Sequence, residues 1–305
     1  MLKQNIFNTK LKKINEFVIP IDKLSSVIFD TEKEGVEGIV ENRHLDILTP
    51  FSLKLLKDDD GNDIPLDPFD KLIVSTAISE QLAGNHTISF SRLFHDIGGG
   101  DKLKFAPIVQ AALIDRISKL RRTEISVDLT ELVSKFQNYA ETLGVKPNRN
   151  GKIILTGAIL PSETITAVIN GRIVDVAIHF LSFPIIFSIA NMKNQISRFN
   201  PNLLDVPIKT TEQTLKLKSY LLERILKIKG SLDPKRSKRV KKLNNSILFD
   251  TLYRQCGLVD ATKRQKQEVR NSITQILDYF VSQNFIKNYE FSRQDAKFYS
   301  ISIFF

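Results

Sequence analysis

The feature that most limits what this chain can fold into is that it matches itself. At a constant spacing of 159 residues, Ile88 meets Ile247, Phe90 meets Phe249, Leu93 meets Leu252, Phe94 meets Tyr253, Ile97 meets Cys256 and Gly98 meets Gly257. The same spacing brings Ile114 to Ile273 and Ile117 to Ile276, and then slips further along the chain. Unrelated amphipathic helices share a period, but not a register held across two helices and their connector. The chain therefore reads as two copies of one supersecondary unit.

In the first copy Asp67 caps a helix, with Pro68 at its first position and Asp70 near its positive end. Phe69, Leu72, Ile73, Thr76, Ala77 and Leu82 recur at three-to-four spacing until Gly84 and Asn85 end it. Thr87 to Ser89 is a bridging strand, and Ser89 caps a short helix to Ile97. The run Gly98-Gly99-Gly100 breaks the chain. A further helix over 107–120 turns Ile108, Ala111, Ala112, Ile114 and Ile117 inward. From Glu124 to Leu129 the period becomes two, and Thr130 caps one more helix to about Leu143. Three strand-like runs follow, over 152–160, 163–169 and 172–180, the last two joined by Asn170-Gly171, a strong hairpin signal. Pro184 opens an apolar helix to about Asn194.

The second copy repeats the order: a long helix from Thr211 to Lys229, a short strand at 246–248, a short helix stopped by Gly257, a helix over 262–283, and strands over 285–291 and 297–303. Helix, short strand, short helix, longer helix and hairpin in that order make a winged helix-turn-helix, whose third helix fits the major groove. The expected fold is α+β: two tandem winged helix-turn-helix domains joined by a long helix, over 64–205 and 206–305. Residues 1–63 read as an N-terminal arm with room for one strand. The acidic run 58–63 lacks the spacing of a calcium loop and reads as a solvated turn.

Charge separates the copies. The whole chain carries +10, residues 206–305 carry +11, and residues 1–205 carry −1. A one-sided positive field is the footprint of a polyanion binder. The candidate DNA contacts are Lys263, Arg264, Lys266 and Arg270 on the third helix of the second copy, and Arg293 and Lys297 at its wing tip. The basic run 234–242 adds Lys235, Arg236, Lys238 and Arg239. In the first copy the candidates are Lys119, Arg121 and Arg122. Main DNA binding is expected in the second domain. The first is expected to join subunits into a homodimer with secondary DNA contact, because its strands over 152–180 are more apolar than a wing needs.

The chain also resembles the replication initiators of bacterial plasmids and related mobile elements that carry two winged-helix domains. The resemblance spans roughly 64–305. It rests on Pro68-Phe69-Asp70, Ile88-Ser89-Phe90, Arg121-Arg122-Thr123, Leu203-Leu204-Asp205-Val206-Pro207 and Phe285-Ile286-Lys287. It implies binding of double-stranded DNA at short repeated origin sites, recruitment of host initiation proteins or helicase, and dimerisation through the first domain.

Enzyme chemistry is not expected. The four histidines, His44, His86, His95 and His179, never lie adjacent or one residue apart, so a local His-x-His metal site cannot form. There is no phosphate loop, zinc pattern or nucleophile elbow. No cofactor or metal is expected. One cysteine, Cys256, no apolar run of membrane-spanning length and no signal-peptide pattern at the N-terminus fit a cytoplasmic protein. A transcriptional regulator and a non-catalytic assembly protein use the same modules and remain alternatives.

Overall fold

A computed structural model describes residues 7, 11–30, 37–42, 47–98, 107–135, 139–141, 144, 151–232, 243–258, 260–295 and 297–305. The order is β1 (Phe17–Pro20), α1 (Lys23–Ile28), β2 (Glu37–Asn42), β3 (Ile47–Lys54), α2 (Pro68–Leu82), β4 (Thr87–Ser89), α3 (Phe90–Gly98), α4 (Pro107–Arg122), β5 (Glu124–Asp128), α5 (Thr130–Lys135) and β6 (Ile154–Ala158). It continues with β7 (Ser162–Ile169), β8 (Arg172–Phe180), α6 (Ile185–Met192), β9 (Ile196–Phe199), a 3-10 turn (Pro201–Leu204) and α7 (Glu212–Ser231). The chain closes with β10 (Ser246–Leu248), α8 (Phe249–Gln255), α9 (Lys263–Ser282), β11 (Asn288–Gln294) and β12 (Lys297–Phe304). The architecture is α+β.

The internal match has a structural counterpart. One three-stranded antiparallel sheet has the order β4-β8-β7 and the other β10-β12-β11. In both, the short strand before the helix pair lies beside the last strand of the hairpin. Strand β4 and the start of α3 fall 159 residues before β10 and the start of α8. The shared pattern places equivalent side chains inside: Ile88 and Ile247, Leu93 and Leu252, Ile117 and Ile276 are all buried. The hairpin read from Asn170-Gly171 is present, with Ile169 opposite Arg172. Asn170 and Gly171 both take positive φ, of 50° and 72°, as a primed two-residue turn requires.

The match stops at one position. Ile114, expected inward like Ile273, is 45% exposed, whereas Ile273 is fully buried. Helix α4 buries Leu113, Ile117 and Leu120 instead, and Ala111 faces solvent. Ile114 lines, with Phe90, Phe94 and Thr164, a groove between α3, α4 and the β7–β8 hairpin.

Residues 17–54 differ from the expected arm. They form β1, α1, β2 and β3, and β1 pairs with β9 while β3 pairs with β5 in a sheet of order β2-β3-β5-β6. Phe17, Val18, Ile19, Leu24 and Phe51 are core residues. Their apolar runs are short and separated by charged spacers; β2 and β3 pair with each other, but β1 and the outer edge of β3 gain their partners only from sequence-distant β9 and β5. Strand β6 joins this second sheet and not the hairpin that follows it.

Helix α2 is enclosed. Every residue from Pro68 to Gln81 is buried, and only Leu82 is open to solvent. It packs against β1, α3, α4 and α7. Such a helix usually lacks polar residues, yet this one buries Asp70, Lys71, Ser79 and Glu80. Each has a partner: Asp70 meets Arg116 and Lys119, Lys71 meets Glu223, Ser79 accepts from the Val18 amide, and Glu80 meets Arg92. Since α7 opens the second copy, α2–α7 packing makes one continuous core across both copies.

Candidate nucleic-acid interface

Helix α9 follows a capping box in which Thr262 and Gln265 satisfy each other's end groups. Val269, Ile273, Ile276, Leu277 and Phe280 form its buried stripe. Lys263, Arg264, Gln267, Glu268, Asn271 and Gln275 are exposed on the other side. The first turn holds Lys263 and Arg264 and no acid. The positive end of a helix dipole favours acids there, so this placement works against the helix and concentrates positive potential at its tip. Arg264 is almost fully exposed, and its Nε donates to Glu268 at 3.1 Å.

The hairpin β11–β12 stands beside α9. Its tip carries Arg293, Gln294, Asp295 and Lys297, all exposed, and Asp295 at φ 50° makes the turn. An aromatic cluster under the hairpin holds it to the helices: Phe249 packs on Phe291 and Phe298 with ring centroids 5.6 Å away. The cations fringe this cluster. Lys266 lies 5.4 Å above Tyr253, Arg270 4.9 Å above Phe298, and Arg293 4.4 Å above the same Phe298 ring. Thus Lys266, Arg270 and Arg293 gather on this aromatic cluster, while Lys263 and Arg264 are exposed in the first turn of α9 and Lys297 at the hairpin tip. Lys235, Arg236, Lys238 and Arg239 lie outside the described residues.

Two exposed amides escaped the charge-based reading. Gln267 Nε2 donates to Asn271 Oδ1 at 2.9 Å, and Gln267 Oε1 accepts from Arg270 Nη2 at 2.6 Å. Carboxamides present the donor and acceptor that pair with adenine in the major groove. Their four-residue spacing outside the apolar stripe was the available signal.

The first copy is placed differently. Lys119 is removed from the candidate contacts: its Nζ donates to Asp70 at 2.6 Å and to the Pro65 carbonyl at 3.2 Å, and its side chain is nearly buried. Arg121 donates to Thr164 Oγ1 at 2.6 Å, bridging α4 to β7. Arg122 is exposed at the end of α4. Lys119 belongs to a network at the junction of α2, α4 and α7. There Arg116 contacts Asp67, Asp70 and Glu212, each at 2.9 Å, and lies over Phe69, while Lys216 reaches Asp67 at 2.9 Å. Burial alone would raise the Asp67 carboxyl, but Arg116 and Lys216 outweigh it and hold it below its ordinary value.

Part of the positive excess of 206–305 is likewise internal. Lys218 is buried and donates to the Ile97 and Leu204 carbonyls. Burial lowers its pKa to about 7, with Asp205 opposing. Glu223 receives Lys71 at 2.7 Å and also pairs with Lys227. Among the described residues, the cations of α9 and the hairpin remain at the surface, as do Lys209, Lys229 and Lys287.

Among the described residues, no three His, Cys, Asp or Glu side chains gather where they could hold a metal ion. The Cys256 thiol is buried, and burial pushes its pKa up to about 12. No helix among the described residues is long and apolar enough to cross a membrane.

The chain matches no protein-family model and is significantly similar to no curated protein. Two crystal structures of domains 2 and 3 of RctB are similar in outline. The selenomethionine derivative is 11% identical, covers 93% of this chain and 96% of its own, and has a TM-score of 0.41. The other, RctB-155-483, is 13% identical, covers 92% and 96%, and has a TM-score of 0.44. A likeness at that level fixes neither the fold nor the activity of this chain.

Proposed function

We propose that this protein is a non-catalytic, sequence-reading binder of double-stranded DNA built from two tandem winged helices, with the second as the main DNA-binding domain. The carrying observation is the surface of α9 and its hairpin: a polar face with two aligned amides, an acid-free basic first turn, and one arginine from the helix and one from the hairpin each stacked on Phe298. In this reading α9 enters the major groove and the β11–β12 hairpin follows the phosphate strand beside it. The physiological target is an origin of replication on a plasmid or mobile element, at repeated sites, with host initiation proteins or helicase recruited there. The protein acts in the cytoplasm as a homodimer joined through its first domain. What supports that last point is β7, the open edge of its sheet, where Ile165, Val168 and Ile169 are exposed.

Selection of duplexes bound by the full chain from fragments of its own replicon tests the reading. Enrichment of a repeated motif beside a region able to replicate autonomously is the expected result. Enrichment of promoter segments alone would make the protein a transcriptional regulator, and absence of duplex binding at low salt would overturn the DNA-binding function.

A further inference from the structure

Arg270 is an unusual cation for a helix surface. Its Nη1 donates to the Tyr253 hydroxyl at 3.1 Å, its Nη2 to Gln267, and its plane lies over Phe298. Its Nε is buried and has no hydrogen-bond partner. Arg293 reaches the same ring from the hairpin, at 4.4 Å. Among the described residues neither guanidinium has an ion pair, whereas the inward carboxylates Glu80, Asp70 and Glu223 are each paired with a cation. A partly desolvated charge without a counter-charge is costly, and two like charges facing one ring add repulsion. An anion brought from outside removes both costs, and the planar guanidinium suits a phosphate held by two parallel hydrogen bonds.

We propose that Arg270 and Arg293 form a clamp for one backbone phosphate of DNA, and that loading this clamp releases the Gln267 carboxamide to read an adenine. The inference rests on the DNA-binding reading above and assigns the work within that surface. In the free protein, Arg270 holds Gln267 Oε1, and Gln267 Nε2 is held against Asn271. A phosphate that takes up the Nη2 donor leaves Oε1 free to accept from adenine N6, while Nε2 turns from Asn271 to donate to N7. Tyr253 and Phe298 keep Arg270 in place throughout. Backbone engagement thus precedes base reading, so a duplex of any sequence loads the clamp and only the right one satisfies Gln267.

The test uses the full chain, a duplex selected from a random-sequence pool, and a scrambled duplex of equal length, over a salt series. Arg293→Gln lies at an exposed tip, and Arg270→Met keeps packing over Phe298; thermal melting checks that each variant is folded. Each should weaken both duplexes by a similar factor and lower the salt slope by about 1, the share of one phosphate contact. Gln267→Ala should weaken the selected duplex about 5- to 150-fold, the range for one good base contact, and leave the scrambled one unchanged. An unchanged slope in both arginine variants overturns the clamp. A loss confined to the selected duplex in Arg270→Met makes Arg270 a base reader and also overturns it. Equal losses on both duplexes in Gln267→Ala remove the adenine-reading half. Failure of the unaltered protein to bind either duplex instead rejects the DNA-binding reading itself.

Discussion

Glu223 shows how much a single buried side chain can carry. It sits on α7 and holds Lys71 of α2 and Lys227 of its own helix. Burial would raise its pKa, but Lys227 and Lys71 together bring it down to about 2. A depressed carboxylate contributes stability that is present above its ordinary value of 4.5 and lost as pH falls toward 2. Urea unfolding should therefore show stability declining across that window, and Glu223→Gln should flatten the decline. At pH 7 the same variant should cost about 3–5 kcal/mol, because Lys71 is left buried beside Lys227, with Ser25 as a hydrogen-bond partner and only the weaker pull of Asp22 to offset its charge. A loss below about 1 kcal/mol would mean that Lys71 sheds its proton readily; burial already lowers its pKa to about 8.

Two elements make opposed demands. The first turn of α9 carries basic residues where the helix dipole favours acids. Lys263→Glu should stabilise the protein by about 0.3–1 kcal/mol in thermal melting and weaken duplex binding in the same preparation. A variant that melts higher and binds DNA as before would show that the turn is an ordinary solvated surface. Strand β7 presents the second demand. It has one free edge, and Ile165, Val168 and Ile169 lie open along it. If two copies pair there, Ile165→Lys with Val168→Lys should convert a dimer at micromolar concentration into a monomer in sedimentation, with little effect on melting. A monomeric unaltered protein would place those side chains on a plain solvent face. Such an edge with exposed apolar residues is otherwise an aggregation hazard.

For the whole molecule the electrostatic asymmetry matters more than any one contact. Residues 206–305 carry the entire positive excess, but Lys216, Lys218 and Lys227 spend theirs inside the protein. In the proposed reading, the surface charge for DNA falls mainly to α9, the hairpin and the run 234–242, with Lys209, Lys229 and Lys287 also exposed. Replacing Lys235, Arg236, Lys238 and Arg239 with glutamine should lower affinity on every duplex and flatten the salt dependence of binding, since each neutralised phosphate contributes about 0.9 to the slope. An unaltered slope would leave that run as a linker. The α2–α7 joint also argues against treating the second copy as a free-standing unit, because α7 buries Lys218 and Glu223 against groups from residues 1–205.

What the sequence determined by itself was local and periodic. The order of elements in the 159-residue match, the capped starts of α2 and α7, and the Asn170-Gly171 hairpin depend on neighbours a few residues away, and each took the expected form, Ile114 apart. The basic face of α9 was legible for the same reason, as spacing along one helix fixes which residues share a side. Three things depended on contacts between distant segments. Within 17–54, β2 and β3 pair locally, but β1 and β3 join the body of the protein because β9 and β5 supply their other partners, which no pattern within 1–63 announces. Lys119 turned inward because Asp70, 49 residues away, is buried beside it. Arg270 and Arg293, on separate elements, came to share the Phe298 ring only when the hairpin folded back on the helix. Hydrogen-bond ladders and desolvated charges take their partners wherever tertiary packing brings them, and sequence separation does not limit that choice.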